Sequence, residues 1–366
     1  MKSDMIEEGF FFVTRKGLTA VIFGILILII GVYIIMIQSP QIMLFSSWES
    51  YDSPEDAGWS SEKLDDAKDY YQSINSTSAM AIYKGKVLFT WGNVAKNTNA
   101  HSVRKSFLSS LYGIYESRGD IHLQSTLDEL NIDDRNSLTA LERTAIITDL
   151  LSSSSGVYHT AGEESWTMRR ARPHRGSHPP GTNFYYNNWD FNVLGTIFNE
   201  QTDNDLFRVF YEEIADPLEM EDFSLNNTKY KHELRRSVHP SYLFQISTRD
   251  MARFGQLYLQ EGEWNGEQII PKEWIQKSTK PQAEVAFNDV YDYGYMWWPA
   301  TEGYFAELDM YSAIGRYGQS IDIIPALDLV FVHRVDSNSM AFGLFNRGVS
   351  QDQRLTLLKK VVDAKK

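Results

Sequence analysis

SVRKSFLSSLYGIYES, residues 102–117, is the stretch on which the reading of this chain turns. Val103, Phe107, Leu111 and Ile114 fall on one stripe of a helix, so the segment is expected to be helical and to bury that stripe. Ser102 and Lys105 are three apart, which on a helix puts hydroxyl and amine on one face. A lysine that is desolvated or crowded by polar groups can lose its proton and activate a serine. A serine in the first turn also sits at the positive end of the helix dipole, where an oxyanion is favoured. The same position suits a helix N-cap, and these residues alone leave both readings of Ser102 open.

The Ser-x-x-Lys spacing occurs a second time, at Ser60/Lys63, and with 34 serines and 17 lysines chance accounts for roughly this many. Context separates the two. Ser60 precedes a helix-like run rich in Glu62, Asp65, Asp66 and Asp69, whose carboxylates would hold Lys63 charged. A helix cap with a surface ion pair is expected there.

Outward from residue 102, Ala79 to Tyr83 and Val87 to Trp91 are short apolar runs split by Lys84-Gly85-Lys86 and read as a β-hairpin. Helical periodicity and Gly/Pro/Asn loops fill about 103–300. Three strand-like runs follow, Met310 to Ile314, Ser320 to Ile324 and Leu327 to His333, then a closing helix over Asp352 to Val362. Strands at both ends with helices between them predict an α/β unit: one sheet built from both ends of the chain, with an inserted all-helical subdomain. The catalytic-type domain is expected over 59–366.

Two further segments carry chemistry. FYYNNWDFNVLG, 184–195, holds two overlapping Tyr-x-Asn pairs, Tyr185/Asn187 and Tyr186/Asn188. A phenol beside a lysine can move protons, and an amide can hold a substrate carbonyl. YSAIGRYGQSIDIIP, 311–325, places Gly315 and Gly318 where a ligand could approach a strand closely, and its N–H groups could join that of Ser102 as an oxyanion hole.

Gly17 to Ile37 is 21 residues without a charge. It spans roughly 30 Å as a helix, the thickness of a bilayer core. Arg15 and Lys16 precede it, while Glu49, Asp52, Glu55 and Asp56 follow. The positive-inside rule makes 1–16 a cytoplasmic tail, 17–37 a transmembrane anchor and 38–58 a linker, with the domain periplasmic or otherwise outside the inner membrane. A cleaved signal peptide is the rival reading, but no A-x-A-like site follows Ile37.

Composition excludes several classes. A net charge of −13 argues against nucleic acid as partner. The absence of cysteine rules out thiol nucleophiles, disulfide scaffolds and Cys-ligated metals. His174 and His178 stand among Pro173, Gly176, Pro179 and Pro180 and read as loop residues, so no metal and no cofactor is expected.

Taken together, HSVRKSF, HPPGTNFYYNNWDFNVLG, LLSSSSG (150–156), residues 247–274, YGYMWWP (293–299) and 311–325 resemble the serine β-lactamase and penicillin-binding-protein family. The likeness is strongest to its class C-like branch of esterases, D-amino-acid peptidases and 6-aminohexanoate-dimer hydrolase, and covers about 50–345. It implies an antiparallel sheet flanked by helices with a site beside the helical part. It implies Ser102 as acylated nucleophile, Lys105 and Tyr186 as proton shuttle, Asn188 as substrate positioner, and the N–H groups of Ser102 and Arg316 as oxyanion hole. Leu194-Gly195 matches the family's Leu-Gly and selects Tyr186/Asn188 over Tyr185/Asn187. The lysine's charge is expected to hold Tyr186 ionised. Ala313-Ile314-Gly315 stands where many relatives have Lys-Thr-Gly or His-x-Gly, which speaks against potent β-lactam hydrolysis. The expectation is a membrane-anchored hydrolase of an ester, amide or short oligomeric amide. The alternatives are a penicillin-binding or sensor module that acylates without turnover, and a cell-wall peptide peptidase. Trp297 and Trp298 are expected in an apolar wall at the site or in the core.

Overall fold

The computed structural model describes residues 48–339 and 348–366. The expected tail, anchor and first part of the linker lie outside these residues. Among the described residues no helix is long and apolar enough to cross a membrane.

In chain order the strands are β1 (Ser78–Tyr83), β2 (Lys86–Gly92), β3 (Thr98–Asn99), β4 (Thr228–Lys231), β5 (Ser241–Ile246), β6 (Glu263–Trp264), β7 (Glu267–Gln268), β8 (Trp298–Pro299), β9 (Tyr311–Gly315), β10 (Gln319–Ile324) and β11 (Leu329–Arg334). The long helices are α1 (Ser61–Ser73), α2 (Arg104–Arg118), α3 (Asn188–Thr202), α4 (Thr248–Leu259) and α5 (Gln351–Val362). One antiparallel sheet runs β2-β1-β11-β10-β9-β8, so both ends of the domain meet in it. Lys84 and Gly85 close the β1–β2 hairpin with φ of 48° and 76°, the backbone a two-residue turn requires.

Both faces of this sheet are covered, which is why β1, β10 and β11 are buried at every position. On one face Ala81, Tyr83, Leu329 and Phe331 meet Leu64 and Ala67 of α1 and Leu357, Leu358 and Val361 of α5. On the other lies α4, where Gly255 lets the helix approach so closely that an added Cβ would stand 2.6 Å from Val330 Cγ1 and 2.7 Å from Ile321 Cγ2. Asp322 and Arg354 form a fully buried ion pair, completed by Ser312 (2.7 Å), Ser320 (2.8 Å) and Tyr291 (3.0 Å).

The insert is not purely helical. It contains β4 and β5, which join β3 in a second sheet, and the β6–β7 hairpin. One partner of β5 is Thr98–Asn99, outside the insert, so that pairing is a long-range event with little local signature. Arg334 ties the two sheets, donating to Ile246 O (2.8 Å), Thr98 O (3.0 Å) and Gln319 Oε1 (2.6 Å).

Residues 48–58, the described part of the expected linker, follow the edge strand. Val87 N donates to Glu49 O at 2.8 Å, Tyr51 N to Val87 O at 3.1 Å, and Trp48 Nε1 to Gly85 O at 2.8 Å. Ser60 caps α1, its hydroxyl accepting from Lys63 N at 3.4 Å. The Lys63 ammonium does not pair with its own helix but donates to Asp363 O at 2.9 Å, because α5 packs alongside.

Candidate active site

α2 is the axis of the site. Its residues 104–115 are all buried, so the expected apolar stripe widens into a helix enclosed on every side. Its buried serines are therefore satisfied internally: Ser106 donates to Met296 O at 2.8 Å and Ser109 to Tyr295 O at 2.7 Å. Gly113 makes room for Trp274, whose Cγ lies 2.2 Å from the place a Cβ would take.

Ser102 sits in a short 3-10 turn, His101–Val103, immediately before α2. Its hydroxyl caps neither helix. It lies instead 3.2 Å from Lys105 Nζ. Lys105 Nζ is also 2.7 Å from the Tyr186 hydroxyl and 2.9 Å from Asn188 Oδ1. The structure thus brings Ser102, Lys105, Tyr186 and Asn188 into one cluster at the floor of a cleft of about 380 Å³.

The neighbouring Tyr-x-Asn pair is spent on architecture. Tyr185 donates to Met168 O at 2.8 Å, and Asn187 caps α3, its Oδ1 accepting from Trp189 N at 3.1 Å. The Asn188 amide has protein partners at both ends, since its Nδ2 donates to Glu163 O at 2.8 Å. It orients Lys105 and pins the 162–163 backbone to the cleft wall.

Burial moves the two titratable groups of the cluster in opposite directions. Lys105 is 1% exposed, and among the described residues no carboxylate pairs with it. Burial, reinforced by the neighbouring Arg104 guanidinium, holds its amine well below the ordinary lysine range. A neutral amine has two N–H groups and one lone pair. Asn188 Oδ1 can only accept, so one N–H goes there. The lone pair is left to accept a proton from the Ser102 or Tyr186 hydroxyl. Tyr186 is pushed up to about 12 by burial, against the pull of the Ser102 hydroxyl and Arg104. The expected tyrosinate is therefore corrected: the lysine, not the tyrosine, is the group whose proton is easily lost.

Gly315 ends β9 against Ser102. A side chain there would begin 2.8 Å from Ala100 O and 3.2 Å from Ser102 N, so only glycine lets the strand end lie beside the serine backbone. Arg316 follows at the cleft rim, exposed, with its guanidinium 4.8 Å from the Tyr317 ring. Ala313 is fully buried in the core, and Ile314 lines the cleft. The tryptophans divide: Trp297 is buried against Tyr258 at 4.3 Å, whereas Trp298 lines the cleft 5.5 Å from the Tyr186 ring.

His101 is not placed as a base. Its Nε2 is 2.7 Å from Ser337 Oγ, and burial with Arg104, Arg334 and Arg316 nearby lowers it to about 4. Arg104 precedes Lys105 at the start of α2. It is 4% exposed, donates from Nη1 to His101 O at 3.1 Å and lies 5.1 Å over the Tyr242 ring, with no carboxylate partner among the described residues. Glu163, Thr167, Met168 and Leu243 also line the cleft, and nothing in their spacing announced it.

The Beta-lactamase family model matches residues 63–347. Solved structures share the fold. A protein from Bacillus anthracis assigned as a 6-aminohexanoate-dimer hydrolase is 21% identical with TM-score 0.59, covering 81% of this chain and 80% of its own. A penicillin-binding protein from Bacillus halodurans is 15% identical with TM-score 0.60, covering 80% and 98%. A β-lactamase from Mycobacterium bovis is 17% identical with TM-score 0.56, covering 81% and 97%. A comparison with curated proteins gives no match.

Proposed function

The chain is a serine hydrolase that belongs to the Beta-lactamase family, and from that premise we propose that it hydrolyses an ester, amide or short oligomeric amide through an acyl-enzyme on Ser102. The observation that carries this is the cluster at Lys105: a buried amine within reach of a serine hydroxyl, a phenol and an amide oxygen, with no carboxylate to keep it charged. Lys105 takes the Ser102 proton as Oγ forms a bond to the substrate carbonyl carbon. The backbone N–H groups of Ser102 and Arg316 receive the oxyanion. When the intermediate collapses, the bond to the leaving group breaks, and that group takes its proton from the Lys105–Tyr186 pair. A water molecule then attacks the ester carbonyl and gives a proton to the pair; as the bond from carbonyl carbon to Ser102 Oγ breaks, the pair passes that proton to Oγ, releasing the acid and free Ser102.

We place this activity on the outer side of a membrane. The support is sequence: 21 uncharged residues over 17–37, with Arg15 and Lys16 on one flank and carboxylates on the other. Ala313, where relatives carry a cation, favours esters and amides over β-lactams as substrates.

The test is turnover by the purified full chain on a panel of esters, linear amides, amide oligomers and β-lactams, beside Ser102→Ala. Hydrolysis of esters or amides that disappears in the variant supports the reading. Acylation by a β-lactam without turnover, and no hydrolysis of any ester or amide, would assign a penicillin-binding module instead.

A further inference from the structure

From Tyr186 and Trp298 in the cleft lining, ring contacts continue to Phe184 and Phe287 beyond that lining. The Tyr186 ring lies 5.5 Å from Trp298, Trp298 is 6.4 Å from Phe184, and Phe184 is 6.2 Å from Phe287. The outer end of this series of rings is exposed. Tyr186, Trp298 and Phe184 are half-buried, while Phe287 is 75% exposed, the most exposed of the large apolar side chains among the described residues. Single exposed apolar residues are ordinary on a surface. This one is different in being continuous, ring by ring, with the catalytic tyrosine. Ile314 and Met168 add apolar surface to the cleft itself. A water-facing aromatic ring is stabilised by anything apolar laid over it.

We propose that the substrate carries an extended apolar chain on one side of the scissile bond, and that this chain lies along Trp298, Phe184 and Phe287. The proposal rests on the hydrolase reading above and narrows its substrate class to long-chain esters or amides. Phe287 is the outermost contact, reached only by longer chains. Trp298 is the innermost and bears on chains of any length. The wall is open on one side. Full burial of a methylene is worth about fourfold in binding, so a chain on such a wall gains roughly twofold per methylene.

Two ester series test it on the full chain: 4-nitrophenyl alkanoates, which vary the acyl side, and acetates of straight-chain alcohols, which vary the other. Between two and fourteen carbons, kcat/KM is expected to climb at least about tenfold in one of the series. Phe287→Ala is expected to lower the fourteen-to-two-carbon ratio by about threefold or more. Leu234→Ala, at a leucine 61% exposed and belonging neither to the cleft lining nor to this series of rings, is expected to leave that ratio unchanged. Flat profiles in both series, or a ratio in Phe287→Ala equal to that of the parent, overturn the proposal while leaving the hydrolase reading intact. No hydrolysis of any ester, short or long, removes the hydrolase reading and the proposal with it.

Discussion

Lys105 Nζ lies 2.7 Å from the hydroxyl oxygen of Tyr186, although 81 positions separate the two residues. α2 supplies the amine and the segment leading into α3 supplies the phenol. The fold thus sets two groups with ordinary pKa values near 10 into one buried site and moves them in opposite directions, the amine down and the phenol up. The site thus pairs an amine more ready to accept a proton with a phenol more ready to keep its own, without any histidine.

Removing the phenolic oxygen alone separates this role from packing. Tyr186→Phe is expected to lower kcat by on the order of 10²-fold or more, the range for a positioned acid–base group. Lys105→Ala is expected to be at least as damaging, because it takes the base itself. Tyr185→Phe loses one hydrogen bond to Met168 O, worth about 1 kcal/mol of stability, and is expected to keep most of its activity. Steady-state kinetics on a single ester decide this, and a severe Tyr185→Phe beside a mild Tyr186→Phe contradicts it.

The pH–rate profile follows from the same shifts. Lys105 must be neutral to accept a proton, so kcat/KM should rise with pH through its lowered pKa and fall away on the acid side. His101, lowered to about 4, is already neutral there and contributes no step near 6.5. A profile governed by a group near pH 6.5 that vanishes in His101→Gln would mean a histidine base.

Burying a neutral lysine has a stability consequence with a definite sign. The folded pKa lies below the unfolded value near 10.4, so between the two the unfolded chain binds the extra proton. Stability is lost as pH falls through that window and regained as pH rises toward 10.4. Lys105→Met removes the titration. Its stability relative to the parent is expected to be greater at pH 7 than at pH 9, measured by denaturant unfolding at both. An equal difference at the two pH values would mean that the amine stays charged.

The buried Asp322–Arg354 pair holds α5 to the sheet. Arg354→Met leaves Asp322 buried and unpaired and is expected to cost about 3–5 kcal/mol. Asp322→Asn/Arg354→Met together should cost less than Arg354→Met alone, since no charge is then stranded. Equilibrium unfolding of the three proteins checks the order.

How much of this was legible in the sequence depended on distance along the chain. Ser102 and Lys105 are three apart on one helix, and their meeting is a local matter. The hairpin at Lys84-Gly85 and the strands over 311–334 announce themselves by turn residues and apolar runs. Tyr186 and Asn188 could not be chosen over Tyr185 and Asn187 from the residues, because the choice depends on where α3 begins; the family resemblance supplied it. Trp297 and Trp298 are adjacent and chemically alike, and only the strand geometry at β8 sends one into the core and the other to the cleft. The strand β5 escaped notice because its partners, Thr98–Asn99 and Thr228–Lys231, are remote or short. Arg104 reads as one more charge beside a lysine until the fold shows it buried beside the amine.

The central claim is that Ser102 is the nucleophile and that a neutral Lys105 activates it. The most direct measurement is labelling of the full chain with a fluorophosphonate, locating the adduct by peptide mass spectrometry and following the labelling rate against pH. The account predicts one adduct, on Ser102, formed faster as pH rises through the lowered lysine pKa, and absent from Ser102→Ala, whose fold is intact because that hydroxyl caps no helix. An adduct on Ser60 or any other serine, or undiminished labelling of Ser102→Ala, would contradict it.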